Sequence, residues 1–288
     1  MIALILLNYN DADETIAFIE RCRNYESIDK IVVVDNCSTD DSYQCLNRLV
    51  DQQKIYLIRT EANLGYAAGN NAGICFALNN WELTQIIISN PDVFVSDETI
   101  EKLTTFLQQH NEVMLAGPTI RCPDDSLSYG WDCPTYLSMM KELFVPASLL
   151  RKHIDYQSIR QEKERHPFLY VDCLSGCFFA FNVQNFTKAG CFDETTFLYG
   201  EESILGFRAK KMQFCNAILP GVQVLHNESV SINKNIISIR RKAEILLTSR
   251  KYYMREYMHC TASQVAIYSF LYHSKLMLKI VFNKLFSR

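Results

Sequence analysis

No Cys-x-x-Cys pair occurs among the eleven cysteines of this 288-residue chain, so the usual zinc and redox spacings are excluded. The number is odd, and Cys75, Cys173, Cys177 and Cys215 sit inside apolar runs. That pattern predicts reduced, buried thiols of a cytosolic protein rather than a disulfide framework. Bulk charge is missing too. The formal net is −3, which points to neither nucleic acid nor another strongly charged partner. No run has the length and purity of a membrane span. The opening MIALILLNYN is apolar, but no basic segment precedes it and it stops at Asn8, so no signal peptide is expected. G-x-G-x-x-G and the Walker loop are both absent. The glycines of NLGYAAGNNAG fall at 65, 69 and 73 instead, which supports a dinucleotide fold only weakly.

What is present is core material, with 48% apolar residues, in a length that suits one large domain or a domain with an appendage. Charge is unevenly spread. Ten basic and two acidic residues from Ile236 to Arg288 give +8, and the nineteen basic and thirty acidic residues before them give −11.

The first half alternates short apolar runs with helical patterns. Ala3–Leu7, Lys30–Val34, Lys54–Arg59, Gln85–Ser89 and Val113–Pro118 read as buried strands. Asp13–Cys22, Asp40–Leu49, Gly65–Leu78 and Ser96–Gln109 read as helices, the second capped by Ser38 or Thr39 and the last by Ser96. This alternation implies an α/β fold, a mostly parallel sheet flanked by helices. Residues 122–135 read as a loop and Ser138–Arg165 as irregular helix. Tyr170–Phe181 and Asn216–His226 read as strands. Val183–Ala189, ended by Gly190, and Glu201–Lys211 read as helices, and the chain beyond Asn235 is helical.

Ligands of an open parallel sheet bind beyond the carboxyl ends of its strands. There the chain places Asn8-Tyr9-Asn10-Asp11, then Asp35-Asn36-Cys37-Ser38-Thr39-Asp40, then Glu61 to Gly65, then Asn90-Pro91-Asp92. Turn chemistry explains any one of these; four in succession point to a site. Gly65, Gly69 and Gly73 share a helix face. Gly73 suits close packing, whereas Asn63, Gly65, Gly69 and Asn70 lie where helix N–H groups face a ligand. Glu201 and Glu202 open a helix, either as acids favoured by the dipole or as a general base. His226 ends a strand, either as a packing residue or as a neutral metal ligand.

Together these stretches resemble the family 2 glycosyltransferases of GT-A fold, in particular a bacterial rhamnosyltransferase-like branch. The likeness covers about residues 1–230. It rests on NYN, VVVDNCSTDDS, NLGYAAGNNAG, SNPDV, SGCFFAF, GCFDETTFLYGEES–LGFR and His226, in that order. The resemblance implies that Asp35 recognises the nucleotide base. Asn8, Tyr9 and Asn10 hold the nucleoside, and Asn63, Gly65, Asn70 and Asn90 line the donor pocket. Asp92 matches the last acid of a D-x-D motif that binds Mg²⁺ or Mn²⁺ against the donor diphosphate, with His226 assisting. Glu202 matches the catalytic base, with Glu201 as its rival. Three positions depart from the pattern: Asn90 replaces the first acid, Glu202 stands where Asp is more frequent, and Ile204 stands where another acid is frequent.

The basic tail mixes Arg240, Arg241, Lys242, Arg250, Lys251 and Arg255 with apolar residues, and Lys275, Lys279 and Lys284 interrupt a later apolar stretch. It packs on the body, lies on anionic lipid at the inner membrane, or forms a homodimer contact. The expectation is therefore a GT-A domain over 1–235 and a basic helical extension over 236–288. The expected activity is metal-dependent, inverting sugar transfer from a nucleoside diphosphate sugar (dTDP-rhamnose, UDP-galactose or UDP-glucose). The acceptor is a saccharide or polyprenyl-linked hydroxyl of a cell-surface polysaccharide such as O-antigen or capsule. Two alternatives stand beside it. A sugar nucleotidyltransferase would need a Gly-rich basic loop after the first strand, and LLNYNDADE has none. A non-catalytic nucleotide-sugar-binding scaffold has Ile204 as its support.

Overall fold

The computed structural model describes residues 1–145, 167–227 and 238–286, with side chains through residue 281. Residues 146–165 of the expected irregular helix, the boundary at residue 235 and the side chain of Lys284 lie outside the described residues.

The β-branched apolar runs form strands as expected. β1 (Ile2–Asn8), β2 (Lys30–Asp35), β3 (Ile55–Arg59) and β4 (Gln85–Ser89) pair in parallel in the order β3-β2-β1-β4. Period-two alternation splits their side chains between two cores. Leu4, Leu6 and Val33 meet α1 (Ala12–Cys22), α2 (Ser42–Asn47) and α4 (Asp97–Gln109) on one face. Ala3, Ile5 and Val34 meet α3 (Tyr66–Asn80), α6 (Val183–Lys188) and α7 (Glu201–Lys211) on the other. Gly73 is small because a Cβ there would lie 2.5 Å from Ile5.

Beyond β4 the sheet becomes mixed. β9 (Phe178–Asn182) runs antiparallel between β4 and β6 (Val113–Arg121), and β10 (Cys215–His226) returns parallel to β6. Short β5 (Val93–Phe94) pairs antiparallel with the end of β10, β7 (Leu127–Ser128) pairs with β6, and β8 (Leu169–Val171) pairs with β10.

Three local expectations are corrected. The single strand Tyr170–Phe181 is two strands, β8 and β9. Between them the chain leaves the sheet, and Cys173, Leu174 and Cys177 are buried there without belonging to a strand. The start of α2 is capped by neither Ser38 nor Thr39, because both hydroxyls are turned to the loop after β1. Not all the cysteines are buried: α3 turns Cys75 outward, and Cys215 is half-buried. By contrast, Ser96 caps α4 through the Thr99 N–H, and Gly190, at φ +91°, follows the end of α6 as expected.

The tail forms α8 (Ile239–Glu256) and α9 (Ala262–Phe286). With α5 (Tyr136–Phe144) and one face of α7 they build a third core from Met139, Leu143, Ile204, Leu247, Tyr253, Met254, Val265 and Tyr268. Arg250 ties the layer together, donating to the Tyr268 hydroxyl at 2.6 Å and to Glu142 at 2.8 Å. Among the described residues no helix is long and apolar enough to cross a membrane.

Candidate active site

The carboxyl ends of the parallel strands carry a web of buried polar side chains. Asn8, at the end of β1, donates from Nδ2 to Asp35 Oδ1 at 3.1 Å and to Ser38 Oγ at 3.2 Å, and accepts from the Thr15 hydroxyl at 2.9 Å. Register explains the meeting, because Asn8 and Asp35 are paired neighbours on β1 and β2. Asp35 is fully buried; its Oδ2 faces Arg59 Nε at 3.2 Å and the Ser38 N–H at 3.3 Å. Asn10, at φ +51°, locks to Thr39, accepting its N–H at 2.8 Å. Tyr9 lies half-buried between these two asparagines. Asn8 and Asp35 are thus the interior scaffolding of the loop. Ser38, Thr39 and Arg59 complete it, and the sequence reading assigned them no such part.

The second strand loop is joined to α3 in the same way. Asn36 donates to Asn63 Oδ1 and to the Gly65 carbonyl, each at 3.1 Å, and Asn63 accepts the Gly65 N–H at 3.0 Å. The first free N–H of α3, on Tyr66, donates to the Phe197 carbonyl at 2.9 Å. That donor therefore serves the chain itself. Asn70 is buried on α3, and its Oδ1 has no hydrogen-bond partner.

Asp92 and His226 come from distant parts of the chain and meet because β5 pairs with the end of β10, where His226 stands opposite Val93. The Asp92 carbonyl accepts the Asn227 N–H at 3.0 Å, which fixes the crossing. Asp92 Oδ1 lies 3.2 Å from His226 Nε2. Both are largely enclosed, and Nε2 has no partner in hydrogen-bond geometry. Burial alone would lower the His226 pKa; Asp92 and Cys177 beside the ring outweigh it and raise it to about 10. Asn90 is held from behind, its N–H donating to the Cys177 carbonyl at 2.8 Å.

The acids of α7 face different surroundings. Glu201 is 4% exposed and its Oε1 has no partner. Burial, then the adjacent Glu202, push its pKa up to about 8. Glu202 is half-buried, and its Oε1 accepts the Gly176 N–H at 3.3 Å. Burial raises its pKa, and the N–H groups of Glu202, Gly176 and Gly200 oppose the shift. Residues 176 and 177 therefore touch both poles of the site: Gly176 meets Glu202, and Cys177 meets His226. SGCFFAF was legible as a motif, but nothing in it singled out Gly176. Ile204 points elsewhere, fully buried in the core under α8 and α9.

Among the described residues no group of three or more His, Cys, Asp or Glu side chains gathers as a complete metal set. The pair Asp92 and His226 nevertheless fits a partial one. A carboxylate oxygen and a buried ring nitrogen converge; a divalent ion binding between them would displace the ring proton, and an ion shared with phosphate oxygens needs only one or two protein donors.

The sequence of residues 3–184 matches the model of the glycosyl transferase family 2. A low-salt glycan biosynthesis hexosyltransferase of Haloferax volcanii is 24% identical over 229 residues, 80% of this chain and 68% of the relative. An N-acetylglucosaminyl-diphospho-decaprenol L-rhamnosyltransferase of Mycobacterium tuberculosis is 27% identical over 215 residues, 71% of this chain and 68% of the relative. A mannosyltransferase of Pyrobaculum calidifontis, solved with GDP-Man and Mn²⁺, superposes with a TM-score of 0.58 at 15% identity, over 88% of this chain and 64% of its own. The last likeness bears on fold alone and agrees with the GT-A arrangement of mixed sheet and flanking helices. With its matched family model, its strand-end polar web and its fold, the chain belongs to glycosyl transferase family 2.

Proposed function

We propose that the protein is a metal-dependent, inverting glycosyltransferase that takes its sugar from a nucleoside diphosphate sugar. The single observation that carries this is the approach of Asp92 Oδ1 to His226 Nε2, 3.2 Å apart, at the mouth of the parallel sheet. Asp92 and His226 are the residues that would hold Mg²⁺ or Mn²⁺. When bound, the ion neutralises charge growing on the departing diphosphate. Two named proteins support this reading: the mannosyltransferase carries GDP-Man with Mn²⁺, and the mycobacterial relative is named for a diphospho-decaprenol acceptor.

The chain's own residues do the rest. Asp35, held by Asn8, Ser38 and Arg59, recognises the nucleotide base, and Asn8, Tyr9 and Asn10 hold the nucleoside on the loop that it braces. Asn63, Gly65, Asn70 and Asn90 line the donor side. Glu202 takes the proton of the acceptor hydroxyl as it attacks the sugar carbon. It is preferred to Glu201 because it keeps solvent contact and a donor on its carboxylate, whereas Glu201 is enclosed. A raised pKa suits a base working near neutrality.

The acceptor is a hydroxyl of a saccharide or polyprenyl-linked glycan of the cell surface, O-antigen and capsule included. dTDP-rhamnose, UDP-galactose and UDP-glucose are the donors to try first. The 1–235 portion is the catalytic body, and α8 and α9 complete it. The face of α9 turned outward meets the inner membrane. Ile204, the support for a non-catalytic scaffold, has a packing role under α8 and α9, so that alternative loses its ground. The test is nucleoside diphosphate release and sugar transfer with and without EDTA, for the native protein and for Glu202→Gln. EDTA should stop both reactions. Glu202→Gln should lose at least about a hundredfold in transfer while donor binding, read by thermal shift, persists. Transfer at the native rate by Glu202→Gln contradicts the assignment.

A further inference from the structure

The segment between β8 and β9 passes directly under the acid-bearing helix, and at Gly176 it is stripped to bare backbone. The Gly176 N–H donates to Glu202 Oε1 at 3.3 Å, while its carbonyl accepts the Tyr66 hydroxyl at 2.5 Å. A Cβ built on Gly176 would lie 2.8 Å from Glu202 Oε1, 3.5 Å from Glu202 Cδ and 3.5 Å from the Tyr66 hydroxyl. The backbone of Gly176 is not in the left-handed region, unlike Gly65, Gly130, Gly190 and Gly200. Conformational freedom is therefore not what glycine supplies here. Space for one carboxylate is.

We infer that Gly176 and Tyr66 are positioning residues for Glu202: the bare Cα admits the carboxylate to the Gly176 N–H, and the Tyr66 hydroxyl fixes the next peptide group, on the other side of that Cα. This rests on the reading of Glu202 as the base. The bond holds Oε1 against the backbone and so sets how the carboxylate is presented to the acceptor hydroxyl. The anchor also crosses the site. Tyr66 opens α3 on the donor side, and its own N–H is bound to Phe197 in the loop that leads to Glu202. Donor loop, Gly176 and acid thereby share one set of contacts.

A side chain at 176 has a soft target. The nearest atom is the far end of the Glu202 side chain, so an added methyl moves the carboxylate and leaves the fold intact. Gly176→Ala should lower kcat by about 10- to 100-fold, the cost of misplacing a reacting group by about an ångström. Donor KM and the melting temperature should stay close to native. Glu202→Asp withdraws the carboxylate by one methylene and makes room for that methyl. The double variant Gly176→Ala/Glu202→Asp should therefore be no slower than the slower single variant, instead of showing the product of the two losses. Tyr66→Phe adds no bulk and serves if Gly176→Ala does not fold; it too should lower kcat with donor KM held. Native kcat in Gly176→Ala or Tyr66→Phe, or losses that multiply in the double variant, overturn the inference. Glu202→Gln separates the two failures. If it is inactive while Gly176→Ala is native, only the positioning role falls. If it transfers normally, the base assignment falls first.

Discussion

Gly65 has φ +100°, and a Cβ there would lie 2.0 Å from the Phe197 carbonyl oxygen. Gly65→Ala should destabilise the protein by about 1–3 kcal/mol from backbone strain alone, with more from the collision, and a lowered denaturation midpoint checks it. Glu201 makes a pH prediction. Its folded pKa of about 8 lies above the ordinary 4.5, so between these values the native state holds more protons than the unfolded one. Its contribution to stability is full below the unfolded pKa and is lost as pH rises through the folded one. Glu201→Gln should flatten the fall in melting temperature between pH 5 and pH 8; an unchanged profile contradicts this. At this scale the sequence was partly legible. Asn8, Asp35, Asp92 and His226 stood out by type and place. Gly176 did not, because its meaning lies in a carboxylate 26 residues away. Ser38 looked like a cap, and only the β1–β2 register reveals that Asn8 and Asn10 use its hydroxyl.

The parallel strands were readable because β-branched apolar runs bounded by Asn and Asp have a fixed meaning. β8 and β9 merge into one strand when the flanking apolar runs outweigh Ser175-Gly176, the turn signal that separates them. The antiparallel entry of β9 between β4 and β6 is set by long-range pairing that no local pattern encodes. Between α6 and α7 the loop is held from the tail. Tyr252 donates to Asp193 Oδ2 at 2.9 Å, Tyr257 donates to the same oxygen, and Arg208 pairs with it at 3.2 Å. Ser249 binds the Leu198 carbonyl at 2.8 Å. Although burial opposes it, hydrogen bonds from Tyr257, Thr195 and Tyr252 hold the Asp193 pKa below its ordinary value. Its contribution is therefore present above the unfolded pKa and lost as pH falls through the folded one. Asp193→Asn should remove stability near neutrality and remove part of the acid sensitivity below pH 4, measured by melting temperature across pH. Equal losses at every pH contradict that account.

For the molecule as a whole, the acidic body and basic tail meet a surface feature of α9. Ile267, Phe270, Met277, Leu278 and Val281 are exposed, and their spacing places them on one helix face. The helix's opposite side carries Val265 and Tyr268 into the third core. An outward apolar stripe on a basic extension fits an interface with anionic lipid. The protein should sediment with phosphatidylglycerol vesicles more than with phosphatidylcholine vesicles, and less at high salt. Phe270→Ser/Leu278→Ser should cut that binding severalfold without loss of transfer to a soluble acceptor. Equal binding by that variant contradicts the membrane assignment and leaves the face to a second copy.

The proposed function stands or falls on whether Asp92 and His226 hold a divalent ion at the sheet mouth. The most direct measurement is a crystal grown with Mn²⁺ and UDP or dTDP, read by anomalous scattering. One manganese peak is expected at coordination distance from an Asp92 oxygen, about 2.0–2.6 Å, beside the diphosphate and within reach of His226. Bound nucleotide with no peak there, and Asp92 turned away from its phosphates, contradicts it.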